Sequence, residues 1–140
     1  MIIAILHGNF AKFLDGSDTH IINSSQFLNN KILETYKSEI TNSSNFKLIS
    51  GNCFCSEVFD YYIDNYDNFK KLIPKDLNII GCEMEAFALF YTAKFFHKNA
   101  SCLLSVVDSR FKKEEISTKD RETSLNNMIQ LALDAAIKLD

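Results

Sequence analysis

An α/β domain, with a layered mixed or parallel sheet flanked by helices, is what this sequence predicts, and three observations lead there. Short apolar runs recur along the chain at 1–7, 46–50, 78–83 and 101–107, each too brief for a helix. Longer stretches between them space their apolar side chains at helical intervals. There are no repeats, no low-complexity tract and no Gly/Ser linker, so residues 1–140 read as one domain.

MIIAILH (1–7) is rich in isoleucine and reads as a buried strand beginning at the first residue, followed by a polar loop through Asp15, Gly16 and Asp18. Leu28, Ile32, Tyr36 and Ile40 then fall four residues apart, which predicts an amphipathic helix over 25–40 capped by Ser24 or Ser25. FKLIS (46–50) predicts a second strand running into Gly51 and Asn52, with CFC as extended chain or a bend beyond it. Apolar residues from Val58 to Ile73 predict a peripheral helix that stops at Pro74. A strand at 78–83, a helix from about Glu85 to His97 and a strand at 101–107 follow. The last helix starts near Ser117 or Thr118, with Asp120 in its first turn. It puts Leu125, Met128, Ile129, Ala132, Leu133, Ala136 and Ile137 on one wide face. Alternating strands and helices of this kind build a largely parallel sheet.

Composition removes several function classes. With 15 basic and 18 acidic residues and a net charge of −3, the chain has no overall positive field to attract a phosphodiester polymer, so nucleic acid is not an expected partner. No apolar stretch reaches the roughly 18 residues of a membrane span, and MIIAIL lacks a basic n-region and cleavage site, which predicts a cytoplasmic protein without a membrane partner. Cys53, Cys55, Cys82 and Cys102 sit in or beside apolar, strand-like stretches. They read as reduced buried thiols, with two disulfides as the alternative, and Cys53-x-Cys55 is too slight a signal for a metal site. Neither cofactor nor metal is expected.

Ligands of parallel sheets sit at the carboxyl ends of strands. Glu83, Met84 and Glu85 close one strand and open a helix there, inside GCEMEAFALF. Two carboxylates so close together within core-type sequence, with no cation nearby in the chain, either cost stability or serve a ligand. Asp108 closes the next strand and reads either as a solvated turn residue or as a site acid. Phe54, beyond a third strand, reads by its type as core. The charged run from Arg110 to Glu122 reads as a solvated loop and helix start.

GCEMEA, LLSVVDSR and DRETSLNNMIQLALDAA, in that order and at those distances, resemble the C-terminal half of the bacterial-type, hexameric purine nucleoside phosphorylases. That family reads VEMEA, then a strand ending in Ser-Asp, then an arginine opening a helix of the form RQTTFNDMI. ISGNCF (49–54) resembles the family's VGNLF, and the likeness covers nearly the whole chain, loosest between Ser56 and Ile79. The resemblance implies phosphorolysis of a purine nucleoside to free base and ribose 1-phosphate, with phosphate as co-substrate and no cofactor. It implies Asp108 as the general acid toward N7 of the purine and Arg121 as the arginine that arrives with the last helix to support it. It implies Glu85 as the ligand of the ribose hydroxyls, Met84 as the floor under the sugar, Glu83 as their neighbour in the motif and Phe54 as the aromatic against the base.

Two departures accompany the likeness. Val107 stands where the family usually has serine. Met1 falls where the family is already inside its sheet, so the glycine- and arginine-based phosphate site is not matched; His7 and Gly8 read as structure. The resemblance therefore implies a phosphorylase-like chain completed by an N-terminal phosphate-binding half, and a homo-oligomer or a complementing chain as partner. A nucleosidase-type hydrolase and a non-catalytic binding or oligomerisation module are the alternatives.

Overall fold

In the computed structural model, residues 3–7, 9–40, 46–57, 62, 64–65, 67–68, 71, 73, 75–109, 112, 114–123 and 125–139 are described. They cluster into two compact units, one from Met1–Gln26 with Ile49–Ser101 and the other from Phe27–Leu48 with Cys102–Asp140.

The first unit is built on a mixed sheet of order β2-β1-β3-β4. Its strands are β1 (Ile3–His7), β2 (Ile21–Asn23), β3 (Asn52–Ser56) and β4 (Ile79–Glu83). β1 pairs antiparallel with β2 and parallel with β3, and β3 pairs parallel with β4. The interior strand β3 is short-chained and buried from Cys53 to Ser56, as a strand covered on both faces must be. At the sheet margin, β4 alternates between half-buried and exposed. Helix α1 (Phe10–Asp15) ends on Gly16, whose φ of 81° and N–H bond to the Lys12 carbonyl make a left-handed cap that suits glycine.

FKLIS is not the second strand; pairing begins one step later, at Asn52. An interior strand would have to bury Lys47, which is exposed, whereas Cys53, Phe54 and Cys55 fill both faces without a charge. Helix α1 and strand β2 were not expected within the polar loop. The peripheral helix expected from Val58 to Ile73 falls largely outside the described residues, as do Met1, Gly8 and Pro74.

Helix α3 (Ala86–Phe95), which follows α2 (Gln26–Thr35) in the chain, lies against β1, β2 and α1. Ala86, Phe87, Phe90 and Tyr91 are its buried face. Phe87 stacks on Tyr91 at 5.6 Å and meets Phe10 edge-on at 6.4 Å, and the Tyr91 hydroxyl donates to both Asp15 carboxylate oxygens. Beyond Phe95 the backbone N–H of His97 bonds the Lys94 carbonyl and that of Lys98 bonds the Ala93 carbonyl, with His97 left-handed at φ 54°. This is a Schellman stop made without glycine. His97→Gly is expected to raise the melting temperature by a few degrees, since the left-handed conformation costs a side-chain-bearing residue about 1 kcal/mol; differential scanning calorimetry checks it.

The second unit contains α2 from Phe27 onward, a π-helical turn at Tyr36–Ile40, a two-stranded ribbon of β5 (Asp108–Ser109) and β6 (Glu114–Glu115), and helices α4 (Thr118–Thr123) and α5 (Asn126–Ile137). The strand expected at 101–107 is not there: those residues carry no ladder, and Leu104 and Val106 are exposed. An apolar run becomes a strand when a neighbour supplies its backbone bonds in a repeating ladder; here the Val107 carbonyl accepts the Ile116 N–H at 3.0 Å beside the β5–β6 ribbon, but among the described residues no ladder runs along 101–107. In α5, Leu131 and Ala135 are buried, whereas Ile129, Leu133 and Ile137 of the expected inner face are exposed. A helix apolar on several sides does not announce which one turns inward.

Candidate functional site

β3 and β4 run side by side and end together, with Cys55 opposite Glu83 and Phe54 opposite Cys82. Alternation places Cys55 and Glu83 on one face and Phe54 on the other. Phe54 is 2% exposed and packs on Ile73, Leu77 and Ile79. Its ring is enclosed, so it occupies the core position its type suggests and presents no free face to a base.

Where β4 stops, the chain makes the turn Met84–Glu85 and enters α3. Glu85 occupies the N-cap position, and its carbonyl takes the first helical bond, from Leu89 N–H at 3.1 Å. The capping side chain is Glu83: its Oε2 accepts the N–H groups of Glu85 at 2.7 Å and Ala86 at 2.5 Å. A helix start leaves N–H groups without partners, and a carboxylate there satisfies them and opposes the positive end of the helix dipole. Met84 and Glu85 themselves are exposed, with Met84 N–H 3.3 Å from Glu85 Oε2.

Glu83 Oε1 is sealed from solvent, and no donor among the described residues meets hydrogen-bond geometry at it. The Cys55 thiol lies near enough to feel the carboxylate. That thiol is pushed up to about 12, by burial first, against a downward pull from the Phe87 backbone, with the negative charges of Glu83 and then Glu85 adding to the rise. Cys53 is raised by burial first and then by the charge of Glu83. None of the four cysteines is in a disulfide; Cys53 and Cys55 are buried, while Cys82 is exposed and Cys102 half-buried. At pH 8, iodoacetamide is therefore expected to alkylate Cys82 well before Cys53 or Cys55, read by peptide mass spectrometry; equal rates at Cys55 and Cys82 would contradict this burial. A thiol whose folded pKa is raised from 9.0 to about 12 contributes stability that is complete below pH 9 and is lost as pH climbs through that window.

Asp108 and Arg121 lie in the second unit. Asp108 is exposed on β5, opposite Glu115 of β6. The chain enters α4 from Ser117, whose Oγ accepts the Asp120 N–H at 3.1 Å and donates to Asp120 Oδ2 at 2.6 Å. Arg121 follows one turn in, its Nη2 bonded to Glu115 Oε1 at 2.7 Å and its Nε to the Ile116 carbonyl at 3.4 Å. The structure thus joins Arg121 to the cross-strand neighbour of Asp108. Glu115 was not singled out in the sequence, where it is one more charge in a solvated run. Among the described residues no group of histidine, cysteine, aspartate or glutamate side chains is arranged to hold a metal ion, and no helix is long and apolar enough to cross a membrane.

No family model matches the chain. Individual proteins do. A DeoD-type purine nucleoside phosphorylase of Bacillus cereus (strain ZK / E33L) is 40% identical over 88 residues, 63% of this chain and 36% of that protein. The DeoD-type enzyme of Buchnera aphidicola subsp. Schizaphis graminum (strain Sg) is 38% identical over 95 residues, 68% of this chain and 39% of that protein. In fold, the chain matches a uridine phosphorylase of the oomycete Phytophthora capsici with a TM-score of 0.71 at 14% identity, over 99% of this chain and 57% of that one. In sequence the chain is thus similar to part of the DeoD-type purine nucleoside phosphorylases, and in fold to a uridine phosphorylase. The chain spans less than two fifths of the length of the curated relatives above.

Proposed function

We propose that this chain is the nucleoside-holding part of a purine nucleoside phosphorylase-type enzyme, transferring ribose from a purine nucleoside to phosphate. The observation that carries the reading is the exposed Met84–Glu85 turn at the carboxyl end of a parallel strand, where such sheets bind ligands. Glu85 would accept hydrogen bonds from the ribose hydroxyls and Met84 would lie under the sugar. Cleaving an N-glycosidic bond builds positive charge on the sugar and negative charge on the base, so a carboxylate at the ribose and a proton donor at the purine both favour the transition state.

Asp108 is assigned as that donor and Arg121 as its support. The ion pair that holds Arg121 to Glu115 is partly exposed, and such pairs are worth about 0–1 kcal/mol, so exchanging Glu115 for another partner costs little. Phe54 is assigned to packing beneath β4. The phosphate site is proposed to lie in the part of such enzymes that this chain does not match, and the reaction to take place in the cytoplasm. Inosine or adenosine incubated with the purified chain, with and without phosphate, tests the chemistry. Any cleavage is expected to require phosphate, to yield ribose 1-phosphate and to be slow until the unmatched phosphate-binding part is supplied; free ribose without phosphate would replace this reading with a nucleosidase.

A further inference from the structure

We propose that Glu83 is a positioning residue, whose carboxylate clamps the Met84–Glu85 turn onto the start of α3 and thereby sets where Glu85 meets a ribose. The inference deepens the nucleoside reading above and rests on it for the identity of the ligand. Its warrant is a division of labour between two neighbouring carboxylates. Glu83 spends Oε2 on two backbone N–H groups, and its Oε1 is closed off from solvent. Glu85 keeps an exposed carboxylate, with one long bond from the adjacent Met84 N–H among its described contacts. A group turned inward on the protein is poorly placed to hold a ligand; a group standing free beside it is well placed.

The clamp is stiff at both ends. Glu83 is the last residue of β4, and its backbone position is fixed by pairing with Cys55 on the interior strand β3. Ala86 and Phe87, just past the clamped amides, are 3% and 0% exposed, so the helix start cannot shift without disturbing the core. Charge-assisted bonds from a carboxylate to amides are about twice as strong as neutral ones, and the helix N-terminus adds to them. The adjoining Cys55 thiol, pushed up to about 12, stays protonated at neutral pH and sets no second negative charge against Glu83.

A double-mutant cycle on the full chain tests this, with inosine and 2′,3′-dideoxyinosine as probes in isothermal titration calorimetry. Glu83→Ala is expected to weaken inosine about tenfold while leaving the dideoxy probe within about twofold, because the clamp acts through the carboxylate that reads the hydroxyls. Glu83→Gln, which keeps an acceptor oxygen, should recover part of the loss. In a Glu85→Ala background, adding Glu83→Ala should change nothing further. Additive losses would make Glu83 a direct ligand, and equal losses for both probes would make it purely structural; either result overturns the proposal. Backbone amide exchange separates this from failure of the nucleoside reading. If the wild-type chain binds neither probe, that reading fails, and the clamp stands if Glu85 and Ala86 amides lose about tenfold protection in Glu83→Ala. Unchanged protection at those amides overturns the clamp itself.

Discussion

Phe87→Ala is expected to lower the melting temperature by about 10–20 °C, from the roughly 3–5 kcal/mol that truncating a buried phenylalanine costs. Phe87 is 0% exposed, stacked on Tyr91 and edge-on to Phe10, so the substitution removes both ring contacts and leaves a void that α3 and the sheet cannot close. Paired rings contribute about 0.5–1.5 kcal/mol beyond their burial. Phe87 also sits two residues after Glu85, so inosine affinity should fall with stability. Phe87→Leu, which keeps most of the volume, should fall by less than half as much. Thermal unfolding followed by circular dichroism decides it, and a melting point for Phe87→Ala within two or three degrees (roughly 1 kcal/mol) of wild type would show that α3 does not anchor this unit.

The second large effect is chemical. With the unmatched phosphate-binding part supplied, Asp108→Asn is expected to slow phosphate-dependent cleavage of inosine by about 10²- to 10⁴-fold, the usual worth of a positioned general acid. The change preserves shape and removes the carboxyl proton, so inosine affinity should change far less than turnover. Glu122→Gln, an exposed charge one residue beyond Arg121 in α4, should leave the rate within about twofold, since it removes charge without removing a proton donor. The reverse pattern, with Glu122→Gln impaired and Asp108→Asn unaffected, would move the acid off β5.

Much of this was legible in the sequence, for identifiable reasons. The α3 segment is apolar nearly all round, and its limits came within two residues of those expected. The start of α4 was legible because Ser117 is of a helix-capping type and Asp120 stands in the first turn, and the Ser117 hydroxyl does accept the Asp120 N–H. Where a strand is concerned, composition fails more easily. FKLIS has a strand's residues yet lies outside the ladder, because interior position, not propensity, decides which segment is paired. LLSVV (103–107) has a strand's residues too, yet among the described residues no ladder runs along it. Helix α1, six residues long, carries too little periodicity to be seen.

At the site, the order and spacing of the acidic turn, Asp108 and Arg121 were visible. Which way each side chain faces was not. Glu83 and Glu85 are the same residue type two positions apart, and their different environments arise from a strand end that directs Glu83 at the helix start. The partnership of Arg121 with Glu115 depends on a two-residue ribbon that no periodicity reveals.

The most direct test of the central claim is a titration of the isotope-labelled chain with inosine, followed by amide NMR. The account predicts saturable shifts at Met84, Glu85 and Ala86, accompanied by shifts at Asp108 and Arg121, all with one dissociation constant. No shift at Met84 and Glu85 at millimolar inosine, or shifts confined to other parts of the chain, would contradict it.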